Sequence, residues 1–278
     1  MATRRQIVRY IVEQIADVYD RRESEAIARV ILCERLSLDY SHLLADYDAE
    51  CQIDDLESIV ADLQQARPLQ HILGKAEFCG LTFEVDSSTL IPRPETEELV
   101  ELVARYCTAD AHILDVGCGS GAIAIALAYR LPAATLTAID ISEGALAVAR
   151  RNGERNGVDV TFLQCDALGD ISSLGTFDVV VSNPPYIPLS AKGAMHRNVV
   201  DYEPHTALFV ADNDPLLFYR RIAENGQKIL RSGAILAFEI YEEFAADVVS
   251  LLERLGYIEP TIVRDANDKD RIVWARWQ

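Results

Sequence analysis

Basic residues are scarce in this chain: 26 lysines and arginines stand against 44 acids, a formal charge of −18. That deficit argues against a broad phosphate-backbone footprint and leaves room only for a local basic stripe, because nucleic-acid binders concentrate Lys and Arg, and it is easier to reconcile with a basic protein as partner. Paired cysteines are missing too. Cys33, Cys51, Cys79, Cys107, Cys118 and Cys165 are scattered with no Cys-x-x-Cys, and the five histidines add no ligand-like spacing. Reduced thiols and no bound metal are therefore expected. No apolar run approaches the ~18 residues that span a bilayer. The opening Met-Ala-Thr-Arg-Arg-Gln runs into a stretch broken by Arg9, Glu13 and Asp17, where a signal peptide would carry an apolar core. The expectation is a cytoplasmic protein with no membrane contact. Internal repeats and low-complexity tracts are also absent.

What is present is ordinary globular material: half the residues are apolar and a quarter charged, enough to bury a sizeable core. At 278 residues the chain suits one large α/β unit, alone or with a small companion. The first 70 or so residues read as helices only. Ile7, Val8, Ile11, Val12, Ile15 and Val18 recur at three and four residue spacing, as do Ile27, Val30 and Ile31 after Ser24, and Leu56, Ile59, Val60 and Leu63 after the capping candidates Asp54 and Asp55. This predicts a small helical bundle over residues 1–72 that carries no catalytic constellation and suits partner docking. A hairpin linker follows at about 75–90, with Leu81-Thr-Phe-Glu-Val85 as one arm.

From there strand and helix alternate. Strands are expected at 113–116, 136–139, 161–164, 179–181 and 234–240, and helices at 97–106, 122–130, 143–155, 215–230 and 243–254, with two last strands near Thr261 and Ile272 as an antiparallel edge. Such alternation predicts an α/β unit over 73–278 with a mostly parallel sheet, helices on both faces and ligands beyond the carboxyl ends of the strands.

Two motifs fall at such ends. Asp115-Val-Gly117-Cys-Gly119-Ser-Gly121 follows a strand and opens a helix; its glycines permit close backbone approach and the helix N-terminus offers unpaired N–H groups. Asp140, at the end of the next strand, is placed to accept both hydroxyls of a ribose, and Asp166, after the third, to receive the exocyclic amine of an adenine. The second motif is Asn183-Pro-Pro-Tyr186, where a buried strand stops at two prolines that fix φ and donate no N–H. An Asn side-chain oxygen and a Pro carbonyl held together match the two N–H donors of one planar NH2 group, and an aromatic ring covers the π face of its carrier. A hydride-transfer enzyme would show Gly-x-Gly-x-x-Gly near its N-terminus and no such clamp. Glycine loop and clamp together point to S-adenosylmethionine and methylation of a planar nitrogen.

With Gln70-His-Ile-Leu-Gly74, Leu90-Ile-Pro-Arg-Pro-Glu-Thr-Glu97, Tyr202-Glu-Pro204, Ala207-Leu208 and Asp268-Lys-Asp-Arg271 added, nearly the whole chain resembles the HemK/PrmC-type release factor glutamine N5-methyltransferases. The resemblance implies a seven-stranded, mostly parallel Rossmann-like methyltransferase sheet behind a small all-helical N-terminal domain. It implies transfer of a methyl group from S-adenosylmethionine to the N5 amide nitrogen of the glutamine in the Gly-Gly-Gln motif of peptide chain release factors. Gly117, Cys118, Gly119, Ser120, Gly121, Asp140, Asp166, Ala167 and Asn183 become the expected cofactor contacts. Asn183, Pro184, Pro185 and Tyr186 become the catalytic clamp, joined by Arg93 and Glu95 on the substrate side. Ala167 departs from relatives that carry a bulky aromatic beside the adenine.

A glutamine amide nitrogen is a poor nucleophile, its lone pair delocalised into the carbonyl. If Asn183 Oδ1 and the Pro184 carbonyl accept its two hydrogens, the nitrogen is aimed and its developing positive charge is stabilised. No ionisable base is needed before transfer. His196 and His205 read as surface or turn residues, and Cys118 as a small packed residue and not a nucleophile. Rival readings are an adenine N6 methyltransferase acting on flipped bases, which the acidic charge disfavours, methylation of a ribosomal-protein glutamine, and a silent module that only binds a nucleoside.

Overall fold

The computed structural model describes residues 2–278, so Met1, the first residue of the expected 1–72 unit, lies outside them. The chain divides into two compact units: one runs up to Leu73 and includes Arg197–Tyr202, and the other comprises Gly74–His196 and Glu203–Gln278. The first unit holds helices α1 (Arg4–Gln14), α2 (Arg21–Leu36), α3 (Tyr40–Ala45), α4 (Leu56–Gln64) and α5 (Leu69–Leu73). Their apolar stripes meet in one core around Ile7, Ile11, Ile15, Ile27, Ile31, Leu43, Ile59 and Leu63.

Three details differ from the sequence reading. Val30 lies outside the core, 43% exposed. Helix α2 begins three residues before Ser24, because Asp20 accepts the Glu23 N–H and supplies the N-cap. The unit is also not helical throughout: Ala2–Thr3 pairs antiparallel with Glu50–Cys51, and the first N–H groups of α1 donate to Ala49 and Tyr47. A helix start leaves orphan donors, and here a returning loop accepts two of them.

The second unit opens with the hairpin β1 (Lys75–Phe78) and β2 (Leu81–Glu84), then α6 (Thr96–Tyr106). Seven strands of one sheet follow: β3 (His112–Val116), β4 (Thr135–Asp140), β5 (Thr161–Gln164), β6 (Phe177–Ser182), β7 (Leu230–Glu239), β8 (Ile258–Arg264) and β9 (Asp270–Arg276), with a separate short parallel pair, Ile187–Pro188 and Phe209–Val210, between β6 and β7. Between them lie α7 (Ala122–Arg130), α8 (Glu143–Asn156), α9 (Leu217–Ile229) and α10 (Ala245–Arg254). The sheet order is β8-β9-β7-β6-β3-β4-β5, parallel except for β9. The last strand therefore inserts between β7 and β8, and the outer edge of the expected antiparallel pair is β8.

Pleating sorts the side chains by parity. Leu114, Val180, Leu236 and Phe238 face α9 and α10, where Tyr219, Ile222, Val248 and Leu252 close the core. Ile113, Val179, Val181 and Ile235 face α6 and α7, against Leu99, Val103, Ile123 and Leu127. Val179, Val180 and Val181 are all fully buried, which explains three consecutive apolar positions in the middle of β6; each contributes roughly 1.5–3 kcal/mol relative to exposure. Since β3 lies between β4 and β6, the crossover direction reverses beside it and a crevice opens at the carboxyl ends of these strands.

Candidate active site

The crevice is a cleft of about 390 Å³. One wall is the glycine loop. Gly117, Gly119 and Gly121 have φ of 75°, 54° and 80°, the left-handed region that side chains resist. A Cβ at Gly117 or Gly119 would meet nothing within 4 Å, so these two keep open space on the cleft side. At Gly121 it would stand 2.9 Å from Ile125 Cδ1 and 3.2 Å from Ala149 Cβ, so this glycine serves close packing of α7 on α8. The loop is tied to the sheet by the Gly117 and Cys118 N–H groups, both donating to the Ile139 carbonyl. Asn152, buried on α8, holds it from behind, donating to Ser120 O at 3.0 Å while bonding both backbone groups of Glu84.

Two acids brace the loop. Asp140 accepts from Gly119 N through Oδ2 and from Ser142 N through Oδ1, both at 2.9 Å, so its orientation is set while each oxygen retains a lone pair for a ligand hydroxyl. Asp115 is fully buried and caps α7 through the Ala124 N–H, while its Oδ1 has no hydrogen-bond partner. Burial pushes its carboxyl up to about 7, opposed by the Ala124 hydrogen bond. Beyond β5, Asp166 accepts Leu168 N–H with Oδ1. Asn225 donates to the carbonyls of Ala167 and Gly169, and Arg221 to that of Leu168, fixing this loop from α9. Ile141, Ala167, Leu168, Phe218 and Ile222 give this end an apolar lining. Phe218 supplies an aromatic ring in the cleft wall that Ala167 also lines.

The opposite wall is built of side chains. Ser182 Oγ donates to the Val116 carbonyl at 2.6 Å, stitching the ends of β6 and β3 where the ladder stops. Asn183, Pro184 and Pro185 then line the cleft. Asn183 Nδ2 donates to Thr96 Oγ1 at 3.2 Å, and Thr96 Oγ1 donates to Glu239 Oε2 at 2.6 Å. Tyr186 donates its hydroxyl to the other oxygen, Glu239 Oε1, at 3.0 Å, with its ring tilted on that of Tyr241. Burial raises the Glu239 carboxyl above its ordinary range, against the pull of the Thr96 and Tyr186 hydrogen bonds. The Tyr186 phenol is likewise raised by burial, so it stays a donor. Arg93 pairs with the buried carboxylate of Glu203 at 2.6 Å, and Glu203 also accepts the Ile91 N–H.

The cleft thus gathers Arg93, Gly117, Cys118, Gly119, Ser120, Asp140, Asp166, Ala167, Asn183, Pro184 and Pro185 from the residues the sequence nominated; Gly121, Glu95 and Tyr186 do not line it. Cys118 is buried with its thiol pushed well up by that burial, which suits a packed residue. The sequence reading missed Thr96, Glu239, Asn152, Asn225 and Glu203 as site-builders. Thr96 and Glu203 stand inside quoted motifs; the other three had no local signal.

Residues 95–201 match the methyltransferase small domain and residues 6–74 the PrmC N-terminal domain. The chain is 43% identical to the release factor glutamine methyltransferase of Bacteroides thetaiotaomicron, over 97% of this chain and 98% of that protein. It is 40% identical to the release factor glutamine methyltransferase of Flavobacterium psychrophilum, over 94% and 95%. A methyltransferase structure from Pyrococcus furiosus superposes with a TM-score of 0.56 at 22% identity, covering 77% of this chain and 98% of that one, a likeness of fold.

Proposed function

We infer the chemistry of the cleft from one premise: the chain belongs to the release factor glutamine methyltransferase family. It is an S-adenosylmethionine-dependent enzyme that methylates the side-chain amide nitrogen of a glutamine in peptide chain release factors. The target is the glutamine of their Gly-Gly-Gln motif, and the setting is the cytoplasm without direct nucleic-acid contact. The residues present fit the cofactor. Gly117 and Gly119 leave space a Cβ would fill, Asp140 is oriented with lone pairs to spare, and Ile141, Leu168 and Phe218 offer an apolar bed for a purine. When bound, S-adenosylmethionine supplies an electrophilic methyl group.

The observation that carries the reading is the commitment of Asn183 Nδ2 to Thr96, which makes Oδ1 the end of the amide left to meet a ligand. Asn183 Oδ1 and the Pro184 carbonyl accept the two hydrogens of the glutamine NH2, orient its nitrogen and stabilise the positive charge that grows there. Both groups are neutral acceptors, so no proton has to move first. Arg93, neutralised by Glu203, and Pro92 and Pro94 beside it stiffen the loop on the substrate side. Incubating a release factor with enzyme and cofactor tests the reading: mass spectrometry is expected to find one added methyl group on a single glutamine, and an unmodified factor would refute it.

The helical unit, without polar chemistry of its own, serves to dock the protein substrate, and the acidic charge of the chain suits a basic surface on that partner. Deleting residues 1–72 is expected to spare cofactor affinity and to raise KM for an intact release factor far more than for a short glutamine peptide. Equal losses on both substrates would remove the docking role.

A further inference from the structure

Hydrogen-bond direction along the chain from Asn183 to Glu239 is set at its far end, by Glu239 in its ionised form. An Asn amide has nearly the same shape either way round, so packing alone does not decide which atom faces the cleft. Here a carboxylate does. Glu239 is 1% exposed, and both of its oxygens accept O–H donors, from Thr96 and from Tyr186. Because Thr96 spends its only hydrogen on Glu239, its oxygen can only accept, and the neighbour able to donate to it is the NH2 end of Asn183. Thr96 is itself 5% exposed, so no solvent competes freely for its hydroxyl.

We propose that Glu239 and Thr96 are positioning residues that fix the polarity of the Asn183 amide, and through it make the cleft accept an NH2 group and reject a carboxylate. The proposal rests on the reading of the cleft as a glutamine methyltransferase site and adds to it the origin of the preference for glutamine over glutamate. Two acceptors, Asn183 Oδ1 and the Pro184 carbonyl, welcome the two N–H donors of glutamine. They repel the two acceptor oxygens of an ionised glutamate. Were the relay reversed, Asn183 would present a donor, and half of that discrimination would go with it.

The groups facing Glu239 pull both ways: burial raises its carboxyl most and Glu95 adds to that, while the hydrogen bonds from Thr96 and Tyr186 and the charge of Arg271 favour the carboxylate, and the Tyr186 and Tyr219 phenols, raised by burial, stay donors. Arg271 is in turn held by Asp265 at 3.1 Å. A neutral Glu239 would carry a hydrogen of its own. Directed at Thr96, that hydrogen turns the threonine hydroxyl toward Asn183 and flips the amide.

Three variants test the relay. Thr96→Val keeps the shape and removes the link, Thr96→Ser keeps the link, and Glu239→Gln replaces one of the two acceptor oxygens with an NH2, so that Thr96 is no longer obliged to donate. Each is assayed for kcat and KM on a glutamine peptide, for inhibition by the same peptide with glutamate at the target position, and for cofactor affinity by calorimetry. Thr96→Val is expected to lower kcat by about ten- to a hundredfold through misorientation, with Thr96→Ser close to wild type and cofactor affinity unchanged in both. In Thr96→Val and Glu239→Gln the ratio of the glutamate-peptide Ki to the glutamine-peptide KM is expected to fall about tenfold, the scale of one hydrogen bond to a charged group. A folded Thr96→Val protein in which that ratio is unchanged overturns the proposal, as does Thr96→Ser losing as much as Thr96→Val.

A readout without substrate completes the test. In 15N-labelled protein the Asn183 side-chain amide is expected to exchange slowly in wild type and faster in Thr96→Val. Equal exchange overturns the relay. If the wild-type enzyme leaves the glutamine peptide unmethylated, the functional reading fails by itself, and the exchange measurement still decides the polarity of Asn183.

Discussion

The two walls of the cleft are built on different principles. The wall we assign to the cofactor is backbone: three glycines in left-handed conformations, held by the Ile139 carbonyl and by an acid whose two oxygens are anchored on Gly119 and Ser142. The clamp wall depends on side chains: Asn183 faces the cleft, and Thr96, Glu239 and Tyr186 form the hydrogen-bonded chain behind it, drawn from α6, β7 and the turn after β6. A backbone cradle tolerates most side-chain changes outside its glycines and its bracing acids. A side-chain chain fails at any link, since the next donor is left without its acceptor in a buried place. Damage on the two sides should accordingly differ in kind, affinity against turnover.

The sharpest way to break the comparison is Asn183→Ala. It is expected to lower kcat by roughly 10²–10³, the effect of removing one preorganised polar group facing developing charge, while cofactor affinity by calorimetry stays close to wild type. Near-normal single-turnover rates at saturating cofactor would show that the clamp wall does not orient the amide.

Next in size is a stability effect confined to the cofactor wall. The Asp115 carboxyl sits at about 7 in the folded protein against an ordinary 3.8. Below pH 4 the group is neutral in both folded and unfolded chains and costs nothing. Between pH 4 and 7 the unfolded chain ionises while the folded one holds its proton, so stability falls as pH rises and levels off above 7. The full loss is up to about 4 kcal/mol for a shift of this size. Denaturant titrations of Asp115→Asn, which keeps an acceptor for Ala124 N–H, are expected to show a gain over wild type that grows from pH 4 to 7. Parallel curves would mean that the carboxyl ionises normally.

Asp140→Ala probes the same wall through the ligand. It removes charged acceptors and is expected to weaken cofactor binding by about 1.5–3 kcal/mol, with kcat at saturation changed much less. Unchanged affinity would take Asp140 out of the site. The smallest effect is expected from Gly121→Ala, about 1–2 kcal/mol of stability for a Cβ at positive φ pressed on Ile125. A wild-type denaturation midpoint would show that α7 and α8 part easily.

The same contrast explains what the sequence disclosed. The glycine loop, Asp140 and the Asn-Pro-Pro turn were legible because each is a local pattern: strand, turn residues, helix. The strands were legible from their apolar runs, and β6 from its three consecutive valines. Thr96 stood in plain sight within Pro-Arg-Pro-Glu-Thr, yet its partner Glu239 is 143 residues away at the end of an apolar strand. Asn225 and Arg221 lie on a helix whose pattern signals only an amphipathic face, and the carbonyls they hold belong to the loop after β5. The place of β9 inside the sheet was hidden for a similar reason, since pairing order is a property of the assembled sheet and not of any strand.

The strand order also sets a timetable for synthesis. The five helices of the first unit precede the sheet in the chain, and much of their core is complete within them. The central strand β3 emerges early but stays without one neighbour until β6 arrives; Ser182, which ties the two ends, lies 66 residues after Val116. Loop, Asp140 and the α8 brace can assemble at that stage. The clamp cannot, because Glu239 ends β7, and β7 is flanked by the final strand of the fold. The glycine loop and its Asn152 brace can thus form from the first half of the unit, whereas the apolar end of the cleft waits for α9 and the polarity of Asn183 for Glu239 on the strand that follows it.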